Sequence, residues 1–187
     1  MMFGLVLLAL PLRDHRLLPV GILALVAGAV VVDLAGLGTP ATFLKLAAVA
    51  GLGFFVLRFF EHVTWVVLVA LLIVPIDILS VQRGPTKVII EDRPEVFDHL
   101  SVSFPVPGGD GAAQLGLPDV LFLSLFLAAT ARFGLRTRLS FALMVASFGG
   151  TMAIVQASDG AIEGWAALPL LSAGFVLANV DLLWRAA

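Results

Sequence analysis

Apolar residues run through this chain in stretches approaching the length of a membrane-spanning helix, about 20 residues, and that narrows its folds sharply. A run of that length inside lipid must satisfy its own backbone hydrogen bonds, which leaves helices or a closed barrel. The clearest run, Val63–Val81, contains one carboxylate, Asp77, in Ile73-Val74-Pro75-Ile76-Asp77-Ile78-Leu79-Ser80-Val81. An acid near a bilayer centre costs roughly 2.5–3.5 kcal/mol on the insertion scale, so such acids mark candidate functional sites.

Composition supports the membrane class. Of 187 residues, 60% are hydrophobic and 13% charged, with mean hydropathy +1.09. Soluble domains are about 25% charged. The net charge of −2 offers no basic surface, so no nucleic-acid partner is expected. The chain has no cysteine, which excludes disulfides, thiolate chemistry and Cys-based metal sites. His15, His62 and His99 lie far apart outside the apolar runs and form no ligand pattern, so no metal is expected and surface positions are.

Six spans are expected: Leu17–Gly36, Ala41–Phe59, Val63–Val81, Pro118–Ala131, Leu139–Val155 and Trp165–Trp184. The fourth is expected to extend backwards through Ala112-Ala113-Gln114. Met1–Leu12 is apolar but short, without a basic n-region or small-residue cleavage site, and reads as a short or truncated helix or a partial span. The expected fold is therefore an all-α polytopic membrane protein of six to seven transmembrane helices, with the lipid bilayer as its partner. Residues 1–62 form an N-terminal scaffold and 63–187 a catalytic-type region. The basic residues divide between faces, with Arg13, Arg16, Arg58, Arg132, Arg136, Arg138 and Arg185 opposing Lys45, Arg83, Lys87 and Arg93. Seven against four places the first set and the C-terminus in the cytoplasm, and the loop 83–111 outside. A multi-pass protein of the cell membrane is the expected location.

A second acid, Asp119, opens the next run in Leu115-Gly116-Leu117-Pro118-Asp119-Val120-Leu121-Phe122. Both acids can be measured from the face that carries the loop 83–111. Asp77 lies roughly 8 Å below its helix end, and Asp119 roughly 10 Å inside if its span begins near Ala112, at the helical rise per residue. Two carboxylates close together at low dielectric do not both ionise easily and share a proton. The ionised member then draws a proton from water while the protonated one polarises a carbonyl. That chemistry needs no metal, cofactor or covalent nucleophile. Spacing alone leaves two other uses open: a water-filled polar cavity, and a proton or cation path in a transporter.

The residues around the acids carry a resemblance. Asp77-Ile78-Leu79-Ser80-Val81, followed by Thr86-Lys87, resembles the first catalytic segment of the presenilin and signal peptide peptidase family of intramembrane aspartyl proteases. Gly116-Leu117-Pro118-Asp119, with Phe122 three residues on, is similar to its Gly-x-Gly-Asp signature. Ala167-Leu168-Pro169 resembles its Pro-Ala-Leu-Pro motif. The resemblance covers about Val63 to the C-terminus and implies an aspartic endopeptidase with Asp77 and Asp119 catalytic. It also implies that Gly116, Leu117, Pro118, Ala167, Leu168 and Pro169 shape the site, and that transmembrane helices or signal peptides are the substrates. Three positions depart from the family pattern: Ile76 for Tyr, Pro118 for the second Gly and Ala166 for the first Pro. The family usually has nine spans. A catalytically impaired scaffold that binds membrane helices is the alternative these departures raise.

Leu100, Val102, Phe104 and Val106 alternate with polar residues and Pro105, a period of two that reads as a strand. An edge strand there would hold an extended substrate by main-chain hydrogen bonds, as the resemblance implies; an amphipathic segment on the membrane surface fits the same pattern. Pro107–Gly111 reads as a flexible connector. Pro169 suggests a kinked helix end beside the site. Gly149-Gly150 suggests close helix packing. Asp33 and Asp181 sit near span ends as interfacial acids, with Asp181 expected to pair with Arg185 four residues on, and Lys45 expected to snorkel.

Overall fold

The computed structural model describes residues 2–83, 101–105, 112–157 and 166–186. Among them are seven α-helices: α1 Met2–Ala9, α2 Leu18–Leu34, α3 Gly38–Val56, α4 Val63–Arg83, α5 Leu117–Arg132, α6 Thr137–Ala157 and α7 Leu168–Ala186. Two strands, β1 Ser101–Pro105 and β2 Ala112–Gly116, pair antiparallel. The chain divides into two units, Met1–Phe59 with Leu100–Ala128, and Phe60–His99 with Ala129–Ala187.

Three helical segments are long and apolar enough to cross a membrane: Gly38–Phe59, Val63–Val81 and Leu168–Arg185. They are compatible with a membrane protein. Exposure runs the same way, since Leu23, Leu34, Leu71, Leu79, Leu177 and Trp184 all face outward. Large apolar side chains exposed in this number fit a lipid-facing surface within each unit. The apolar helix Leu18–Leu34 is shorter, at 17 residues, than the span expected there.

In the first unit, α2 and α3 pack side by side. Gly36 ends α2 in a left-handed conformation, φ 75°, and Leu37 N–H donates back to Val32 O at 3.1 Å. That is the glycine C-cap that satisfies the last carbonyls of a helix. Small residues of α3 then allow close approach. A Cβ on Gly53 would collide with Ser124 Oγ and stand 2.6 Å from Leu121 O, both on α5. Lys45 on α3 reaches Asp33 on α2 at 3.6 Å. Its side chain pairs across the helices rather than snorkelling out, because the acid lies within its reach. Arg58 donates to Arg13 O and His15 O at 3.0 and 2.7 Å, tying the end of α3 to the turn before α2. Met1–Leu12, where a short helix was expected, holds α1, and a 3-10 segment, Leu10–Asp14, follows α1.

The hairpin register pairs Ser101 with Gly116, Val102 with Leu115, Ser103 with Gln114, Phe104 with Ala113 and Pro105 with Ala112. Here the structure corrects the expected helix. Ala112-Ala113-Gln114 is strand, and α5 starts only at Leu117. Pro118 explains the switch. Its ring would clash with the carbonyl of Gln114 in a continuous helix, and it has no N–H to give. Pairing with β1 satisfies the backbone instead.

In the second unit, α7 packs against α4 and α6. Among the described residues the expected close packing at Gly149 and Gly150 is not seen, since a Cβ on either would meet nothing within 4 Å. The close approach lies at Gly174 on α7, whose Cβ would stand 3.2 Å from Leu143 C and from Ser147 Oγ on α6. Ser147 Oγ also donates to Leu170 O at 2.9 Å. Asp181 pairs with Arg136 and not with Arg185, by two contacts of 2.7 and 2.6 Å. A two-point guanidinium–carboxylate contact is stronger than a single helical i,i+4 pair. Gly134, φ 69°, caps α5 and turns the chain so that Arg136 can reach α7. Asn179, fully buried, accepts from Arg136 N–H at 2.8 Å and donates to Ser140 Oγ and Phe175 O at 2.7 and 2.8 Å.

Candidate functional site

Asp77 is presented by α4, which runs unbroken through Pro75. Proline inside a helix leaves the carbonyl four residues earlier without its usual donor, here that of Leu71, six residues before the acid. Asp77 is half-buried. Its Oδ2 accepts the Leu168 N–H at 3.1 Å. Leu168 is the first residue of α7 and Pro169 the second. The first turn of a helix has backbone donors with no internal acceptor. Pro169 contributes no N–H, and Asp77 takes the one before it. Carboxylate and helix N-terminus also attract electrostatically, worth about 0.3–1 kcal/mol at exposed sites. The acid and the Ala167-Leu168-Pro169 segment, 91 positions apart, are thus brought together. Ala167 and Leu168 are buried and Pro169 half-buried.

Asp119 sits in the first turn of α5, directly after β2. The depth based on a helix beginning near Ala112 therefore does not hold, since the preceding chain is extended. Asp119 is half-buried, Pro118 is exposed and Val120 is fully buried. The carboxylate folds back over Gly116, where a Cβ would stand 3.3 Å from Asp119 Oδ2 and 3.5 Å from Pro118 Cδ. Gly116 leaves room for the acid at the strand–helix junction. Pro118 at the second helical position is favourable, because its missing N–H lies among the uncapped donors. Leu117, half-buried, is where the chain changes from strand to helix.

The backbones of Val102 and Phe104 lie in β1 beside α3, and Ser101 is buried. Leu100, Thr86-Lys87, Pro107–Gly111 and Trp165 lie outside the described residues. Among the described residues, no three His, Asp or Glu side chains are grouped to hold a metal ion.

Sequence reasoning passed over Ser172. It is 3% exposed, and its hydroxyl has no hydrogen-bond partner among the described residues. The available signal was its spacing, one helical turn after Leu168 in an apolar helix. The Arg136–Asn179 network was also missed, because it joins residues 43 apart. Comparison with family models, curated proteins and solved structures found no match.

Proposed function

We propose that this chain is a multi-pass membrane protein that hydrolyses peptide bonds in transmembrane segments or signal-peptide remnants, with Asp77 and Asp119 as its acid–base pair. One observation carries the reading. A carboxylate within an apolar, membrane-length helix is held at the N-terminus of the Ala167-Leu168-Pro169 helix, Leu168 N to Asp77 Oδ2 3.1 Å. An acid so placed is held in a defined orientation by a backbone donor. The second acid sits at a strand–helix junction where glycine leaves it space.

In the proposed reaction one carboxylate takes a proton from water as the water oxygen bonds to the peptide carbonyl carbon. The protonated partner stabilises the developing oxyanion. The C–N bond then breaks, and the amine leaves with a proton from the pair. The products are a carboxylic acid and an amine, and no cofactor enters. β1 and β2 form a two-stranded sheet, and an unwound substrate would add to it as a further strand. The six or seven crossings, the cytoplasmic C-terminus and the outward 83–111 loop belong to the same proposal, as does the resemblance to presenilin and signal peptide peptidase.

A helix-binding scaffold without activity is the second reading. It is favoured by the Asp77–Leu168 hydrogen bond, which would stabilise α7 even if nothing were cleaved. Purified protein in liposomes with a single-span peptide separates the two. The protease reading expects cleavage that falls by about 100-fold or more in Asp77→Asn and in Asp119→Asn, the range for removing a general acid–base. Peptide binding without cleavage would establish the scaffold. A proton or cation flux lost in both variants would establish transport.

A further inference from the structure

A guanidinium carries five N–H donors, and Arg58 uses two of them. Both are on Nη2, which donates to Arg13 O at 3.0 Å and to His15 O at 2.7 Å. The donors on Nε and Nη1 have no hydrogen-bond partner among the described residues, although Arg58 is half-buried. His15 O belongs to the peptide that joins His15 to Arg16, so the Arg58 guanidinium lies beside the backbone of Arg16. The Arg16 side chain is exposed and has no ion pair or hydrogen bond among the described residues. The turn between them is fixed. His15 O also accepts the Leu18 N–H at 3.1 Å, and His15 Nδ1 accepts the Leu17 N–H at 3.3 Å.

The acids of this unit's α2–α3 pair are engaged elsewhere. Asp14 accepts from Arg13 Nε at 3.0 Å, and Asp33 stands near the far end of α2 with Lys45. Two positive charges are therefore left close together without a carboxylate of their own. Their immediate neighbours are apolar. Leu17 follows Arg16, Phe59 follows Arg58, and both are exposed. Phe55 lies 5.9 Å from Arg58 Cζ at its ring centroid and meets Phe59 edge-on at 5.5 Å. Guanidinium groups form short, charge-assisted hydrogen bonds to phosphate oxygens. Basic residues at a bilayer surface are drawn to anionic lipids. A ligand that is anionic at one end and apolar at the other matches both sets of neighbours.

We propose that Arg16 and Arg58 form a binding site for the headgroup phosphate of an anionic phospholipid, whose acyl chains cover Leu17 and Phe59. The two backbone bonds of Arg58 hold its guanidinium in place before the lipid arrives, and the longer-reaching, solvated Arg16 closes on the same phosphate. The site lies within the first unit and is independent of the peptidase reading.

The test titrates dioleoyl phosphatidylglycerol, and separately dioleoyl phosphatidylcholine, into the full chain in neutral detergent and counts bound lipid by native mass spectrometry. The first phosphatidylglycerol should bind more than about tenfold more tightly than phosphatidylcholine, since each basic residue at a membrane surface contributes about fivefold. Arg16→Gln should weaken it about fivefold. Arg58→Lys keeps the charge, but an ammonium that makes both carbonyl bonds has one donor left. It should weaken binding about tenfold, the loss of a hydrogen bond to a charged group. Arg138→Gln removes an exposed arginine from the other unit and should change nothing. Unfolding midpoints check that each variant is folded, and Arg16→Gln, at an exposed side chain, decides if Arg58→Lys is not. Phosphatidylglycerol bound no more tightly than phosphatidylcholine overturns the site. So does an equal loss in Arg138→Gln and Arg16→Gln, which would report net charge alone. Inorganic phosphate that displaces the lipid at the lipid's own concentration overturns the assignment to a phospholipid.

Discussion

Gly53 and Gly116 do different work, and substitution should separate them. At Gly53 the obstacle to a side chain is the α5 backbone, 2.6 Å from the Cβ position, so neither helix can yield cheaply. Gly53→Ala should destabilise the protein by about 1–3 kcal/mol, the usual range for overpacking, read as the unfolding midpoint in detergent. At Gly116 the obstacle is the Asp119 carboxylate, which can rotate away. Gly116→Ala should therefore leave the unfolding midpoint nearly unchanged and lower cleavage about 10- to 100-fold through misplacement of the acid. Equal loss of stability at the two positions would contradict this distinction.

At the scale of elements, the junction between β2 and α5 marks where sequence reasoning stopped. Ala112-Ala113-Gln114 is apolar enough to continue a helix, and alanine favours one. What ends the helix is Pro118, four residues after Gln114, together with a pairing partner in Ser101–Pro105 that is visible only once the chain is folded. Three of the six expected apolar runs, those at Gly38–Phe59, Val63–Val81 and Leu168–Arg185, were legible because lipid-length helices need little tertiary information. Asp77 and Ala167-Leu168-Pro169 were legible separately, whereas their hydrogen bond was not. Partner choice was opaque for the same reason. Asp181 has Arg185 on its own helix, yet the turn at Gly134 delivers Arg136 with better geometry. The network around Asn179 should be a principal stability element of the second unit. Asn179→Ala leaves the Ser140 and Arg136 N–H partners without their present contacts, and should cost about 2 kcal/mol or more. Ser140→Ala, which removes only one of the contacts, should cost less. The ordering of the two unfolding midpoints checks it.

At the scale of the whole molecule, the absence of cysteine makes the chain a clean background for single reporter thiols. Cysteine placed at Asp110 should react with an impermeant maleimide from outside the cell, and cysteine at Arg185 only after the membrane is opened. The reverse pattern would invert the proposed topology. The same background allows the central claim to be tested without any substrate. Asp77→Cys and Asp119→Cys are combined in one chain and oxidised in the membrane. A disulfide forms only when the two Cα atoms come within about 7 Å. The account predicts rapid, high-yield cross-linking within one chain, with neither single variant cross-linking. Failure to cross-link, with the oxidant or with short bifunctional thiol reagents, in folded protein would contradict it.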